Sequence, residues 1–321
     1  KDLFRIDPGN SDISEWDALM SASTDDPIDD LRNLGVEGWG NGLITVAVNK
    51  DFSEQNSEVT TFLENYDINS ATLEELIDYS STHSWEETAQ YYLTTDHQWH
   101  AWVTNDAADN LETEYGITIA EPEWNSARIQ TAILSTILED GYDYSVNLVT
   151  GDNLSTFTAM AEGSIDIVPE VWTGLNGITA NDNALYLGDG LLGAGEGFYI
   201  DKYTADLYDI DSIDDMLDPT ISQLFIEGGE PTFHLPPVNW GYAASLKLFY
   251  SMGLDAVYRP SSSFKASNDG GQQNIQNYLD INAPLFTFYW APSSLSKDLF
   301  RIDPGNSDIS EWDALMSAST D

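Results

Sequence analysis

Cysteine is absent from the 321 residues, and lysine and arginine together number 11 against 55 aspartates and glutamates. The first absence removes disulfides, thiolate metal sites and cysteine nucleophiles at once, and leaves the compartment open. The second removes nucleic acid as a partner, because phosphate contacts need basic side chains. No apolar run reaches the roughly eighteen residues that a membrane-spanning helix requires. Histidine is scarce too. Of His83, His97, His100 and His234, only His97-Gln-Trp-His100 has a spacing that could start a metal site; it has no third ligand, and a solvated helix face is the expectation. The glycine-rich stretch 188–197 lacks the lysine of a phosphate loop and opens no helix. Neither a metal nor a cofactor is expected.

What remains is an acidic chain of formal net charge −44 with 41% hydrophobic residues, enough for the core of one large domain or two modest lobes. A surface so charged repels itself unless salt screens it, so a halophilic or marine source is expected, with an acidic protein of an ordinary host as the alternative. Residues 1–25 recur unchanged at 297–321. Identity over 25 positions is no divergent repeat and is too short for a domain, so these are duplicate copies of one connecting segment. Lys1 then falls inside a domain, and the lack of a visible leader has no weight.

The order of patterns reads α/β. An acidic stretch 26–37 leads through Gly38-Trp-Gly-Asn-Gly42 into the β-branched strand 43–49. Helices are expected over 54–66, 72–80 and 86–95, and a last one carries Trp99 and Trp102 on to Asn110. From Tyr115 strands and helices alternate: strand 117–121, helix 125–139, strand 144–149, helix 154–162 and strand 165–168, which Pro169 should stop near Glu170. The glycines of 188–197 mark a lobe boundary. Beyond it come strand 198–200, short helices 212–217 and 220–226, strand 232–235, a helix from Gly241 to Met252 capped by Asn239, helix 272–281, strand 284–289 and a helix with Pro292 in its first turn. Lobe I is expected over 26–190 and lobe II over 191–296.

Four tryptophans, Trp124, Trp172, Trp240 and Trp290, sit at or just past strand ends, the place where open α/β sheets bind ligands. A tryptophan face attracts a cation by about 2 kcal/mol or more per desolvated contact, and boxes of such faces recognise quaternary ammonium groups. Any one of the four alone reads as a core residue; four at equivalent places, two from each lobe, point to a shared cleft. Phe198 or Tyr199 could add a wall. The amides of Gly241 and Tyr242 after Trp240, and of Thr173 and Gly174 after Trp172, lie at helix starts and can hold an anion. A ligand with a cation at one end and a carboxylate at the other fits both.

Five stretches, Ile117-Thr-Ile-Ala-Glu-Pro-Glu-Trp124, Gly163-Ser-Ile-Asp-Ile-Val-Pro-Glu-Val-Trp-Thr-Gly174, Gly197-Phe-Tyr-Ile-Asp-Lys-Tyr-Thr-Ala-Asp206, Val238-Asn-Trp-Gly241 and Phe288-Tyr-Trp-Ala-Pro292, resemble the glycine betaine/proline betaine-binding proteins of ABC importers. The resemblance implies a two-lobed periplasmic-binding-protein type II fold with a hinge and an interlobe cleft, a periplasmic or extracellular place, and the importer's membrane subunits as partners. Carried over by motif, Trp172, Trp240 and Trp290 match the family's cage, Trp124 a cage residue of its choline-binding relatives, and Gly241 and Tyr242 the amides that hold the carboxylate. Asn176 stands where the family usually has a histidine, and can still donate a hydrogen bond. The family's order begins at the equivalent of Tyr115 and ends near that of Asn110, with strand 43–48 in its closing third, so this chain reads as a circular permutation with the cut region present twice. Two alternatives remain: a choline- or carnitine-binding homologue, and a carbohydrate-active enzyme using Glu121, Glu123 and Glu170 beside the tryptophans as paired carboxylates and a sugar platform.

Overall fold

Ile44–Asn49 (β1) is buried along its whole length, as a run of β-branched and small apolar residues requires when both faces of a sheet are covered. In the computed structural model the described residues are 44–103, 116–172, 181–188, 191, 194–237, 240–264 and 271–302. After β1 come helices Lys50–Gln55 (α1), Ser57–Glu64 (α2), Ser70–Ser80 (α3) and Trp85–Thr95 (α4). The single helix expected over 54–66 is two, because Asn56 leaves the helical conformation and its side chain bonds back to the Phe52 carbonyl at 2.9 Å. Trp99 and Trp102 follow on one 3₁₀ turn, Gln98–Ala101, with Trp102 buried against Tyr66. The remainder of that expected helix lies outside the described residues.

The alternating units follow as Ile117–Pro122 (β2), Asn125–Thr136 (α5), Val146–Gly151 (β3), Asn153–Ala161 (α6) and Ile167–Trp172 (β4), with Ala184–Leu187 (β5) after them. The first sheet runs β3-β2-β4-β1-β5, with β2 parallel to both neighbours and β1 antiparallel to both of its own. Alternation along β1 splits the core: Val46 and Val48 meet α2 to α5, while Ala47 meets Phe157 and Met160 of α6.

One expectation fails here in a useful way. Pro169 does not stop β4, which continues to Trp172. Thr45 pairs with Val171 and Ala47 with Val168, so Pro169 and Glu170 together oppose the single residue Val46. This bulge absorbs the proline, which has no N–H for the ladder.

The second sheet is built from Gly195–Asp201 (β6), Ile226–Glu227 (β7), Glu230–His234 (β8), Arg259–Ser261 (β9), Phe286–Ala291 (β10) and Leu299–Arg301 (β11), in the order β11-β6-β10-β8-β7 with β9 also on β8. Helices Lys202–Tyr208 (α7), Ile213–Met216 (α8), Pro219–Ser222 (α9), Tyr242–Ser251 (α10) and Gln272–Leu279 (α11) complete this half. The two mixed α/β sheets form two lobes. No helix follows Pro292; instead the Ser296 hydroxyl accepts the Ser293 N–H and donates to the Ser293 carbonyl, closing a tight turn ahead of the 3₁₀ turn Ser296–Asp298. Beyond it, Leu299, Phe300 and Arg301 add to the free edge of β6, a strand that no local periodicity announces. The first six residues of the second 25-residue copy are thereby docked, with Lys297 bound to Asp78 of α3 at 2.8 Å. Their counterparts 1–6, and 303–321, lie outside the described residues.

Asp201, 2% exposed, joins the elements of the second lobe: one oxygen caps α7 at Thr204 N–H, the other accepts Leu285 N–H at the entry to β10, each at 2.8 Å. Asp201→Ala removes the cap and strands a buried amide, so stability should fall by about 2–4 kcal/mol. Urea midpoints at constant slope read this directly, and a loss under about 0.5 kcal/mol would refute the double role.

Candidate functional site

Trp124 and Trp172 arrive side by side because their strands, β2 and β4, are neighbours. Trp124 leaves β2 as the N-cap of α5, a helix whose first turn has no side-chain cap. Trp172 is the last residue of β4, and the Asn153 amide clamps its backbone, donating to its carbonyl and accepting its N–H at 3.3 Å each. Both rings are 6% exposed.

Their indole N–H groups end on the same atom. Oε1 of Glu170 accepts Trp124 Nε1 at 2.5 Å, Trp172 Nε1 at 2.7 Å and the Ser126 hydroxyl at 3.0 Å. Oε2 accepts the Gln130 amide, whose own oxygen accepts from the Tyr66 hydroxyl at 3.3 Å. Glu170 is 1% exposed. Burial pushes its carboxyl above the ordinary range, and the four hydrogen bonds, led by Trp124, draw it back down. A cavity of about 20 Å³ bounded by Thr45, Tyr66, Gln130 and Leu187 lies against it, room for a single water.

The second lobe brings the other two rings. Trp240 meets Trp124 edge-on, with centroids 6.4 Å apart, and lies nearly face to face with Trp290 at 5.1 Å and 25°. Trp290, from β10, is buried and packs on Tyr289 at 4.4 Å, and Tyr289 meets Tyr199 edge-on at 6.2 Å. Four strand-end tryptophans thus make one aromatic chain from Trp172, through Glu170, to Trp124, Trp240 and Trp290.

Beside it starts α10. Gly241 is its N-cap at φ +81°, a left-handed conformation that disfavours any side chain, and Tyr242 opens the first turn, whose N–H groups have no partner within the helix. Asn239, expected as the cap, lies outside the described residues, as do Asn176, Thr173 and Gly174.

Phe198 and Tyr199 take separate places. Phe198 packs on Phe233 at 4.8 Å and Phe286 at 5.7 Å, within the core of the second lobe. It pairs with Phe288, whereas Trp290 pairs with Glu196, so Phe198 stands one layer deeper than Trp290 on the same face. Tyr199 joins the cluster only through Tyr289; burial pushes its hydroxyl up to about 12, with Arg301 opposing the shift. His97 and His100 are exposed with ring centroids 5.4 Å apart, and among the described residues no group of three or more acidic or histidine side chains is placed to hold a metal.

Sequence reading undervalued Glu170 and missed Ser126, Gln130 and Asn153. A signal existed for the first pair: Ser126 and Gln130 lie four apart on the helix face that also carries Ala127, Ile133 and Leu134, and a buried polar pair needs a partner.

Comparison with known proteins gives a consistent set of likenesses. The family model described as the substrate-binding domain of the ABC-type glycine betaine transport system matches residues 116–300, more than half of the chain. The glycine betaine/proline betaine-binding periplasmic protein of Escherichia coli K12 is 27% identical over 181 residues, covering 53% of each chain. The glycine betaine-binding periplasmic protein OusX of Dickeya dadantii is 27% identical over 191 residues, covering 57% of this chain and 54% of its own. The chain therefore spans about half the length of these curated relatives. Among solved structures, the glycine/betaine/L-proline-binding protein ProX of Borrelia burgdorferi aligns with a TM-score of 0.39 at 14% identity, over 60% of this chain and 70% of that one. Lactococcal OpuAC, in its closed form with glycine betaine, gives 0.37 at 15% identity, over 58% and 70%.

Proposed function

The chain belongs to the family of substrate-binding domains of ABC-type glycine betaine transport systems, and on that premise we propose that it captures a quaternary ammonium solute, glycine betaine or proline betaine, for import. The family binds its substrate and does not transform it, so the chain is not an enzyme. The observation that carries the proposal is the convergence of Trp124, Trp172, Trp240 and Trp290 from two sheets on one cluster. Faces of this kind hold a trimethylammonium group, which has no N–H to offer a carboxylate. Trp240 and Trp290 lie in stacking contact at 5.1 Å, so capture requires the pair to part and admit the cation, as movement of one lobe against the other would do. The first-turn amides at Gly241 and Tyr242, with Asn176, then hold the carboxylate, and Tyr199 supports the wall through Tyr289.

The lobes in this reading span 26–190 and 191–296, with the 25-residue copies as connecting segments; the separation of the strands into two sheets supports the division, and the second sheet also takes up residues 299–301. The working place is periplasmic or extracellular, at the membrane subunits of an importer; the names of both curated relatives include the word periplasmic. A choline- or carnitine-binding homologue is the second reading, favoured by Trp124, whose ring belongs to the cluster.

Segment order is permuted in this proposal. The residues matching the family begin at 116, yet β1, at 44–49, lies inside the first sheet between β4 and β5. The charge of −44 suits a medium of high salt.

Trp172→Ala and Trp290→Ala should each weaken betaine binding by about 1–2 kcal/mol or more, roughly ten-fold or beyond. Calorimetric titration with betaines, choline and carnitine checks this, and unchanged affinity in both variants would sink the cage; choline binding tighter than every betaine would favour the second reading. A rearranged gene running from Tyr115 through a single copy of the 25 residues to Asn110 should give a protein of the same ligand preference, and loss of folding would count against the permutation. Added potassium chloride should raise the melting temperature by screening self-repulsion; a flat response removes the halophilic reading.

A further inference from the structure

Resting on the cation-capture reading, we propose that Glu170 is the positioning residue of the tryptophan cage: its carboxylate fixes the Trp124 and Trp172 rings by their N–H edges and gives the bound ammonium a buried counter-charge behind them. An indole N–H lies in the ring plane, so a bond made there orients the ring without covering either face. One oxygen holds both rings, at 2.5 and 2.7 Å, and therefore sets their mutual angle. A charge-assisted bond of this kind is shorter and stronger than a neutral one, and it adds electron density to the ring whose face the cation meets.

The energetics point the same way. Glu170 is fully enclosed, and its surroundings offer hydrogen bonds from Trp124, Trp172, Ser126 and Gln130 but, among the described residues, no cation. Of the side chains around its cavity, Tyr66 is the other titratable one. Arg128, on the same helix as Ser126 and Gln130, lies over Trp85 instead, and Glu121 accepts from Thr150 at the sheet's outer strand. A buried charge without a counter-ion works against folding, and such groups persist where they serve a site. A quaternary ammonium on the cage supplies the missing positive charge.

The test uses the full chain, glycine betaine and its neutral-headed carbon analogue, tert-butylacetate. Glu170→Gln keeps the size of the side chain and removes its charge. Affinity for glycine betaine should fall about ten-fold or more, affinity for tert-butylacetate should change by less than about three-fold, and the melting temperature of the free protein should hold or rise. Equal losses for both ligands together with a falling melting temperature would mean that Glu170 is only structural, and would overturn the proposal. Glu170→Asp provides a second arm should the glutamine variant not fold: it keeps the charge but draws it back from both indoles, so both affinities should drop while preference for the cationic ligand survives. Loss of that preference would overturn the counter-charge. Failure of the unmodified protein to bind either ligand overturns the capture reading and this inference with it; binding that Glu170→Gln leaves unaltered overturns this inference alone.

Discussion

A buried carboxylate with no positive partner among the described residues is the constraint on which the candidate site depends. Glu170 is tolerable there because four donors converge on it, and each of those donors fixes an element: Trp124 the end of β2, Ser126 and Gln130 the first turns of α5, Trp172 the end of β4. Leaving any of them out would strand charge in a low dielectric, where the penalty is largest. The bulge at Pro169 is part of the same device. It sets Pro169 and Glu170 together against Val46, and Trp172 still reaches the end of the strand in register with Ile44.

The first lobe thus presents two rings held from behind, and the second presents two held mainly by packing. Trp240, half-buried, touches Trp124 by its edge and Trp290 by its face, contacts worth about 0.5–1.5 kcal/mol each beyond area burial. That is a modest bond between lobes compared with the network around Glu170. Movement that changes the cluster should therefore break the Trp240 contacts and leave Trp124 and Trp172 in place. Ser296 and Lys297, bonded to Glu74 and Asp78 of α3, tie the lobes at another point.

The β-α-β run from 117 to 168 was legible because its elements carry strong periodicity and short loops. The four tryptophans were legible for a related reason: a large aromatic just past a strand is placed by the strand alone. What escaped depends on partners distant in sequence. Pro169 reads as a stop until Val46, more than a hundred residues earlier, is seen to accommodate it. β11 exists because β6 has a free edge, and β5 because β1 has one. Phe198 could be assigned to a wall or a core only once its pairing with Phe288 placed it a layer below Trp290. Glu170 showed its charge but not its donors, three of which come from the start of α5, some forty residues earlier.

An acidic chain of charge −44 attracts cations of every kind, which poses a problem of discrimination for any cation-capturing site on it. Exposed carboxylates would meet it badly, since they hold small hydrated metal ions as readily as an organic ammonium. Aromatic faces discriminate through dehydration: a trimethylammonium spreads its charge over methyl groups and loses little on leaving water, whereas a small metal ion must shed a tightly held shell. Glu170 lies behind the Trp124 and Trp172 rings at 1% exposure, with its oxygens occupied by protein donors. A small ion cannot reach it without displacing those donors, while the ammonium of the proposed ligand, on the ring faces, would feel its field through a medium of low dielectric. Placing the charge behind the aromatics and not among them separates attraction from contact, and in the proposed reading selectivity for an organic cation would follow from that separation.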